Sequence, residues 1–192
     1  MSNVLCLAPL LVEAAPLMRA GLPVTRIGMG RARATTAAVR LASTLAEHVM
    51  VVGFGGALDP QLEPGDVVLA SSISALGMDP VTCDVERVRA ILDRERTTFR
   101  VSPIASSDEL VRGADARRAL REATGAAAVD MESAWLTPLA RGRRFDVLRV
   151  IVDTERAELT RPLATLEGGV RAMRVLDRLA QTLRDLPHDK VA

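Results

Sequence analysis

Val49-Met50-Val51-Val52-Gly53-Phe54-Gly55-Gly56-Ala57 decides the fold. A run of four apolar residues is too short for a buried helix, and it breaks into clustered glycines, so it reads as a buried strand (Val49 to Phe54) entering a close crossing. On either side lie further short runs rich in Val, Leu and Ile: Val4 to Ala8, Val24 to Ile27, Val67 to Ser71, Phe99 to Ile104, Ala127 to Asp130 and Val147 to Val152. Helix-period segments fill the gaps: Arg31 to His48, Cys83 to Arg94, Ala114 to Thr124, Met131 to Arg141 and about Leu166 to Leu186. In the last of these Leu166, Val170, Met173, Leu176, Leu179 and Leu183 form an apolar stripe opposite an arginine-rich back. This alternation predicts an α/β protein with a mixed, largely parallel twisted sheet flanked by helices. No repeat or linker divides residues 1–192, so a single domain is expected.

The 192 residues are 48% hydrophobic and 26% charged, enough for one sizeable core. With 25 Lys+Arg against 24 Asp+Glu the formal charge is +1, which gives no general reason to bind nucleic acid or a membrane surface. Lysine occurs once, at Lys190, which argues against Schiff-base chemistry and a phosphate-loop lysine. Histidine occurs at His48 and His188 and cysteine at Cys6 and Cys83, a spacing with no metal-site pattern. No cofactor is expected. The opening MSNVLCLAPLL lacks a basic region and a long apolar stretch, so a cytoplasmic protein without stable membrane insertion is expected.

Ligands of α/β sheets gather where loops leave the C-terminal ends of strands. Gly28-Met29-Gly30-Arg31 stands at one such exit, where backbone N–H groups and a guanidinium suit an anion; a tight turn with no ligand explains the glycines equally well. Arg33 occupies the place of the third glycine of a dinucleotide fingerprint, which excludes that motif. Gly53 to Ala57, followed by Glu63-Pro64-Gly65-Asp66, is a more specific signal: glycines let the chain pass beneath a sugar or phosphate, while Pro64-Gly65 sets a turn. Val129-Asp130-Met131-Glu132-Ser133 puts two acids at a strand-to-helix junction. A capping role accounts for Asp130 but not for Glu132, whose carboxylate suits ribose hydroxyls. Asp153 closes the strand Val147-Leu148-Arg149-Val150-Ile151-Val152, either as a functional acid or as a cap. Glu13 alone reads as a solvated helix residue.

Taken in order, Glu13, Gly28-Met29-Gly30, Gly53 to Leu58 with Pro64-Gly65-Asp66, Val129 to Ser133 and Val150 to Asp153 resemble the nucleoside phosphorylase and nucleosidase superfamily. Asp130-Met131-Glu132-Ser133 and Leu148 to Asp153 look most like the hopanoid-associated phosphorylase-like proteins, with methylthioadenosine/S-adenosylhomocysteine nucleosidase as the better-known relative. The resemblance implies an enzyme that cleaves the N-glycosidic bond of a purine nucleoside by hydrolysis or phosphorolysis, through an oxocarbenium-like ribose. It assigns Asp153 to protonation of purine N7, Glu13 to activation of water, Glu132 to the ribose hydroxyls and Met131 to the sugar face. Gly30, Arg31, Phe54 and Gly55 complete the implied substrate-binding set. The implied substrate carries an extended 5′ group, with adenosylhopane as the candidate, and the implied assembly is a homo-oligomer. A non-catalytic nucleoside-binding or scaffold protein on the same fold is the alternative. Phe54 stands where the nucleosidases carry a serine. Gly28 follows Glu13 by only 15 positions, so a strand hairpin usual between them is expected to be missing.

Overall fold

The computed structural model describes residues 4–155, 162–184 and 186; His188, Lys190 and the side chain of Leu166 lie outside the described residues. The chain runs β1 (Val4–Ala8), α1 (Leu11–Arg19), β2 (Val24–Arg26), α2 (Arg31–Leu41), β3 (His48–Ala57), β4 (Val67–Ala75) and β5 (Val81–Thr82). It continues through α3 (Glu86–Arg94), β6 (Arg100–Ser106), α4 (Gly113–Thr124), β7 (Ala128–Asp130), α5 (Ser133–Leu136), a 3-10 turn (Thr137–Ala140), β8 (Arg144–Asp153) and α6 (Pro162–Leu183).

The α/β class is as the sequence predicts, and all seven expected strands form. Side chains alternate across a strand, and β3 and β8 use both faces. Val49, Val51, Phe145, Val147 and Ile151 pack in one layer with α2 and α5, whereas Met50, Val52, Leu148 and Val150 pack in another with α1, α3 and α6. The sheet order is β2-β1-β3-β7-β6-β4-β5, and β8 pairs with both β3 and β4. The pairings β3–β7–β6–β4–β8–β3 therefore close a circuit. Parallel ladders dominate it, with antiparallel contacts at β3–β7, β4–β5 and β4–β8.

Four expectations are corrected. Helix α1 is absent from the sequence reading, because its exposed side carries Leu11, Val12 and Met18 and its helical period is masked. Helix α2 stops at Leu41 rather than His48: Arg143 Nη2 donates to the carbonyls of Ala42 and Thr44, holding the turn that starts β3 at His48. The segment Met131 to Arg141 yields only the short α5 and a 3-10 turn, since Pro138 lacks an N–H and its ring obstructs the preceding turn. Helix α3 begins at Glu86, because Cys83 N donates to Ser71 O and stays with the β4–β5 hairpin.

On α6 the buried stripe is Ala172, Leu176, Leu179, Ala180 and Leu183. Val170 is exposed and Met173 half-buried, so the stripe is rotated from the expected one. The small residue Gly168 lets the helix approach Pro64, where an added Cβ would lie 3.1 Å from the proline ring.

Candidate active site

A guanidinium in the middle of an apolar strand must find counter-charges or leave the core. Arg149 of β8 is wholly buried. Its Nε donates to Asp130 Oδ2 at 2.8 Å, its Nη2 lies 2.7 Å from the same oxygen, and Nη2 donates to Ser133 Oγ at 3.0 Å. Nη2 also stands 3.6 Å from Glu132 Oε2. Asp130, at the end of β7, is saturated from its other side. Its Oδ1 accepts Ser106 Oγ at 2.5 Å and the backbone N–H of Glu132 and Ser133 at 3.1 Å each, while Oδ2 accepts the Ser133 hydroxyl. The N-cap position of α5 is Glu132 rather than Asp130, but Asp130 holds the N–H groups at the helix start from two residues upstream, and the ion pair adds to this. Burial pushes the Asp130 carboxyl up, but Arg149 and the hydroxyl and N–H donors outweigh it and hold the group below its ordinary value. Burial likewise works against the charge on Arg149, and Asp130, Glu132 and Glu13 together raise it.

Two further acids sit against this cluster. Glu132 Oε1 accepts the N–H of Gly30 at 2.9 Å, which ties the start of α2 to the start of α5. Gly30 adopts φ +90°, a conformation a side chain would resist. Burial pushes the Glu132 carboxyl up to about 7; Arg149 pulls it down, and Asp130 and Glu13 add to the rise. Glu13 is 3% exposed in place of the solvated position expected for it alone. It accepts Leu10 N–H on Oε2, closing the first turn of α1, and Phe54 N–H on Oε1, both at 2.7 Å. Burial raises its carboxyl above the usual range against the pull of Arg149 and of those two N–H groups. Gly53 makes this possible: a Cβ there would stand 2.5 Å from Glu13 Oε1 and 2.7 Å from Arg149 Nη1.

These groups border a cavity of about 260 Å3. Glu13, Glu132, Asp153, Met131, Phe54 and Gly55, which the sequence reading singles out from four segments, all line it. Pro9, Leu10, Met29, Leu110 and Val111 line it as well and make its rim mostly apolar, with Glu109 as the charged exception; Met29 is half exposed. Phe54 is the one aromatic ring among the lining residues; Trp135 lies elsewhere, with the Arg31 guanidinium 5.4 Å from its centroid.

Gly30 and Arg31 depart from the anion reading. The Gly30 N–H is committed to Glu132, and Arg31 Nη1 donates to Asp108 Oδ2 at 2.9 Å, so neither lines the cavity. Between Glu13 and Gly28 the chain forms only the rest of α1 and β2, without a hairpin. Arg149 and Arg117, which pair with the acids Asp130, Glu132 and Asp153, are residues the sequence reading missed. Arg149 had a signal, a charge within a buried strand, whereas Arg117 is one of several arginines on α4. Among the described residues no cluster of three or more His, Cys, Asp or Glu could hold a metal ion. No described helix is long and apolar enough to cross a membrane.

The phosphorylase superfamily matches residues 21–184, and the chain belongs to it. Among solved structures the chain resembles 5′-methylthioadenosine/S-adenosylhomocysteine nucleosidase of Campylobacter jejuni, with a TM-score of 0.83 and 16% identity over 97% of this chain and 98% of that one. It also resembles S-adenosylhomocysteine nucleosidase of Streptococcus pyogenes, with a TM-score of 0.76 and 22% identity over 95% and 97%. A futalosine hydrolase mutant of Helicobacter pylori gives a TM-score of 0.76 and 16% identity over 96% of both chains. At these identities the likeness is one of fold. No curated protein matches the chain.

Proposed function

We propose that the protein cleaves the N-glycosidic bond of a purine nucleoside carrying an extended, apolar 5′ group, with water as the nucleophile. The observation that carries this reading is the convergence of Glu13, Glu132 and Asp153, far apart in sequence, on one cavity with a mostly apolar rim. Asp153 delivers a proton to N7 as the base departs, Glu132 accepts ribose hydroxyls and faces the developing cation, Met131 packs on the sugar, and Glu13 takes a proton from water. The raised Glu13 carboxyl suits a group that must receive that proton. Water is favoured over phosphate because the N–H of Gly30 and the side chain of Arg31 already hold Glu132 and Asp108. The names of the similar nucleosidases and of the futalosine hydrolase point the same way. The mostly aliphatic rim suits a long apolar substituent, and adenosylhopane is the specific candidate. No cofactor is needed, and a homo-oligomer working in the cytoplasm remains part of the reading.

The test is incubation with adenosine derivatives of increasing 5′ bulk, including 5′-methylthioadenosine, S-adenosylhomocysteine and adenosylhopane, scoring free base with and without phosphate. Free base without phosphate, and a loss of about 10²-fold or more in Glu13→Gln, are expected. A ribose 1-phosphate product with turnover that saturates in phosphate would reverse the choice of nucleophile. Tight binding without base release would favour the non-catalytic binder, a reading to which the Phe54 ring in the cavity lends weight.

Glu132 adds a pH dependence. Its carboxyl titrates at about 7, so kcat/KM is expected to fall as pH drops through 7, and Glu132→Gln should lose the part of that limb set by Glu132 and keep the part set by Glu13. Losing the charged acceptor costs about 1.5–3 kcal/mol of transition-state binding. A 2′-deoxy substrate should lose less than its ribo counterpart; equal losses would remove the 2′-hydroxyl contact. Stability runs in the opposite direction. A folded pKa above the unfolded value of about 4.3 means that the contribution of Glu132 is present below that value and is lost as pH rises through 7.

A further inference from the structure

Asp153 ends β8 where the register against β3 shifts: Gly55 pairs with Ile151, but Gly56 pairs with Asp153. An extra residue of this kind bends a strand and re-aims the side chain beside it. The Asp153 carboxyl meets α4, where Arg117 is 3% exposed. Arg117 Nη2 donates to Asp153 Oδ2 at 2.6 Å, and Nη1 donates to the carbonyl of Ala57 at 2.6 Å. The strand passes close by the pair, since a Cβ on Gly56 would lie 3.4 Å from Arg117 Nη1 and 3.5 Å from Asp153 Oδ2. Arg117 does not line the cavity and reaches a substrate only through Asp153.

Burying a guanidinium is costly, so its retention asks for a use. Anchoring α4 is not a sufficient one. Leu120 of that helix already packs with Leu58, Ala105, Ala126 and Val129, and Arg121 reaches Asp59. What Arg117 adds is a rigid planar fork between a backbone carbonyl and one oxygen of the acid, which fixes where that acid points.

We propose that Arg117 is the positioning residue for leaving-group protonation, holding Asp153 Oδ2 so that the carboxyl meets the purine. The inference rests on the nucleosidase reading and extends it to a residue outside the cavity. As the C1′–N9 bond breaks, its electron pair passes to the purine, and the proton of the Asp153 carboxyl moves to N7. The base leaves neutral, and Asp153 remains as a carboxylate paired with Arg117 until water returns its proton. The guanidinium keeps its own protons throughout. Its attraction to Asp153 is greater once the carboxylate has formed, so the contact strengthens along the reaction path, as a contact must if it is to lower the barrier.

The experiment compares two leaving groups on the same 5′-substituted ribose: adenine, which needs a proton at N7, and 4-nitrophenolate, which leaves without one. Arg117→Met is expected to lose about 10²-fold in kcat on the adenine substrate, within the range of a general acid, and to keep wild-type turnover of the nitrophenyl riboside. Arg117→Lys, which retains the charge and most of the length, should recover part of the adenine activity and serves if the methionine variant does not fold. Guanidinium added at low millimolar concentration should partly rescue Arg117→Ala. Equal losses on both leaving groups, or no loss on either, would overturn the positioning role while leaving the nucleosidase reading intact. A wild-type protein that cleaves neither substrate would overturn both.

Discussion

Arg149→Leu is expected to lower the free energy of unfolding by about 3–5 kcal/mol at pH 7, the loss typical of removing one partner from a buried ion pair. Asp130 is buried and directs its Oδ2 at Arg149. Glu132 and Glu13 feel the same positive charge. Leucine fills the space but leaves Asp130 without its counter-charge in a medium that solvates it poorly. The effect has a definite pH sign. The folded carboxyl of Asp130 lies below its ordinary value in the wild type, so its contribution is present above about pH 3.9 and is lost as pH falls further. Without Arg149 the carboxyl rises and the contribution disappears, so the difference between variant and wild type should be greatest near neutrality and should shrink towards pH 4. Urea unfolding followed by circular dichroism at several pH values measures both. Adding Asp130→Asn should recover much of the loss, because the two positions share one interaction. A decrease below about 1 kcal/mol at pH 7 would mean that water reaches the cluster and that Arg149 does not hold the strand ends together.

The strands were legible because β-branched and leucine runs bounded by glycine admit few other structures, and β3 and β8 come out longer than the runs alone indicate. What failed was local. Pro138 and the Arg143 contacts ended helices that apolar spacing would have continued, and β5, two residues long, carries no periodicity. The site divides in the same way. Glu132 and Asp153 were visible because acids at the exits of apolar strands are hard to explain otherwise. Glu13 was weak alone, since its importance lies in being bonded across 41 positions to the N–H of Phe54, a contact no spacing rule encodes. The Gly53 to Gly56 cluster was legible as a close approach, but what approaches became clear only in three dimensions: Glu13 and Arg149 at Gly53, Asp153 and Arg117 at Gly56. Gly28 to Arg31 carried a two-sided signal, because a backbone N–H at a helix start serves a protein carboxylate, here Glu132, as readily as a ligand.

Asp153→Asn is expected to reduce release of adenine by about 10²- to 10⁴-fold, the contribution of a well-placed general acid, with KM little changed. The amide matches the carboxyl in shape and can still accept the Arg117 N–H through its oxygen, but it has no acidic proton for N7. It also leaves a buried guanidinium facing a neutral partner, so the variant should melt below the wild type and must be assayed well under its midpoint. Pairing it with Arg117→Met separates the two effects. Removing both members of the ion pair should restore much of the stability, while activity on the adenine substrate stays as low as in Asp153→Asn alone. Residues acting as one unit lose their function once, and a second substitution within the unit adds little. A double variant that regained both stability and turnover would make misfolding the cause of the loss, whereas one that regained stability alone places the missing proton on Asp153.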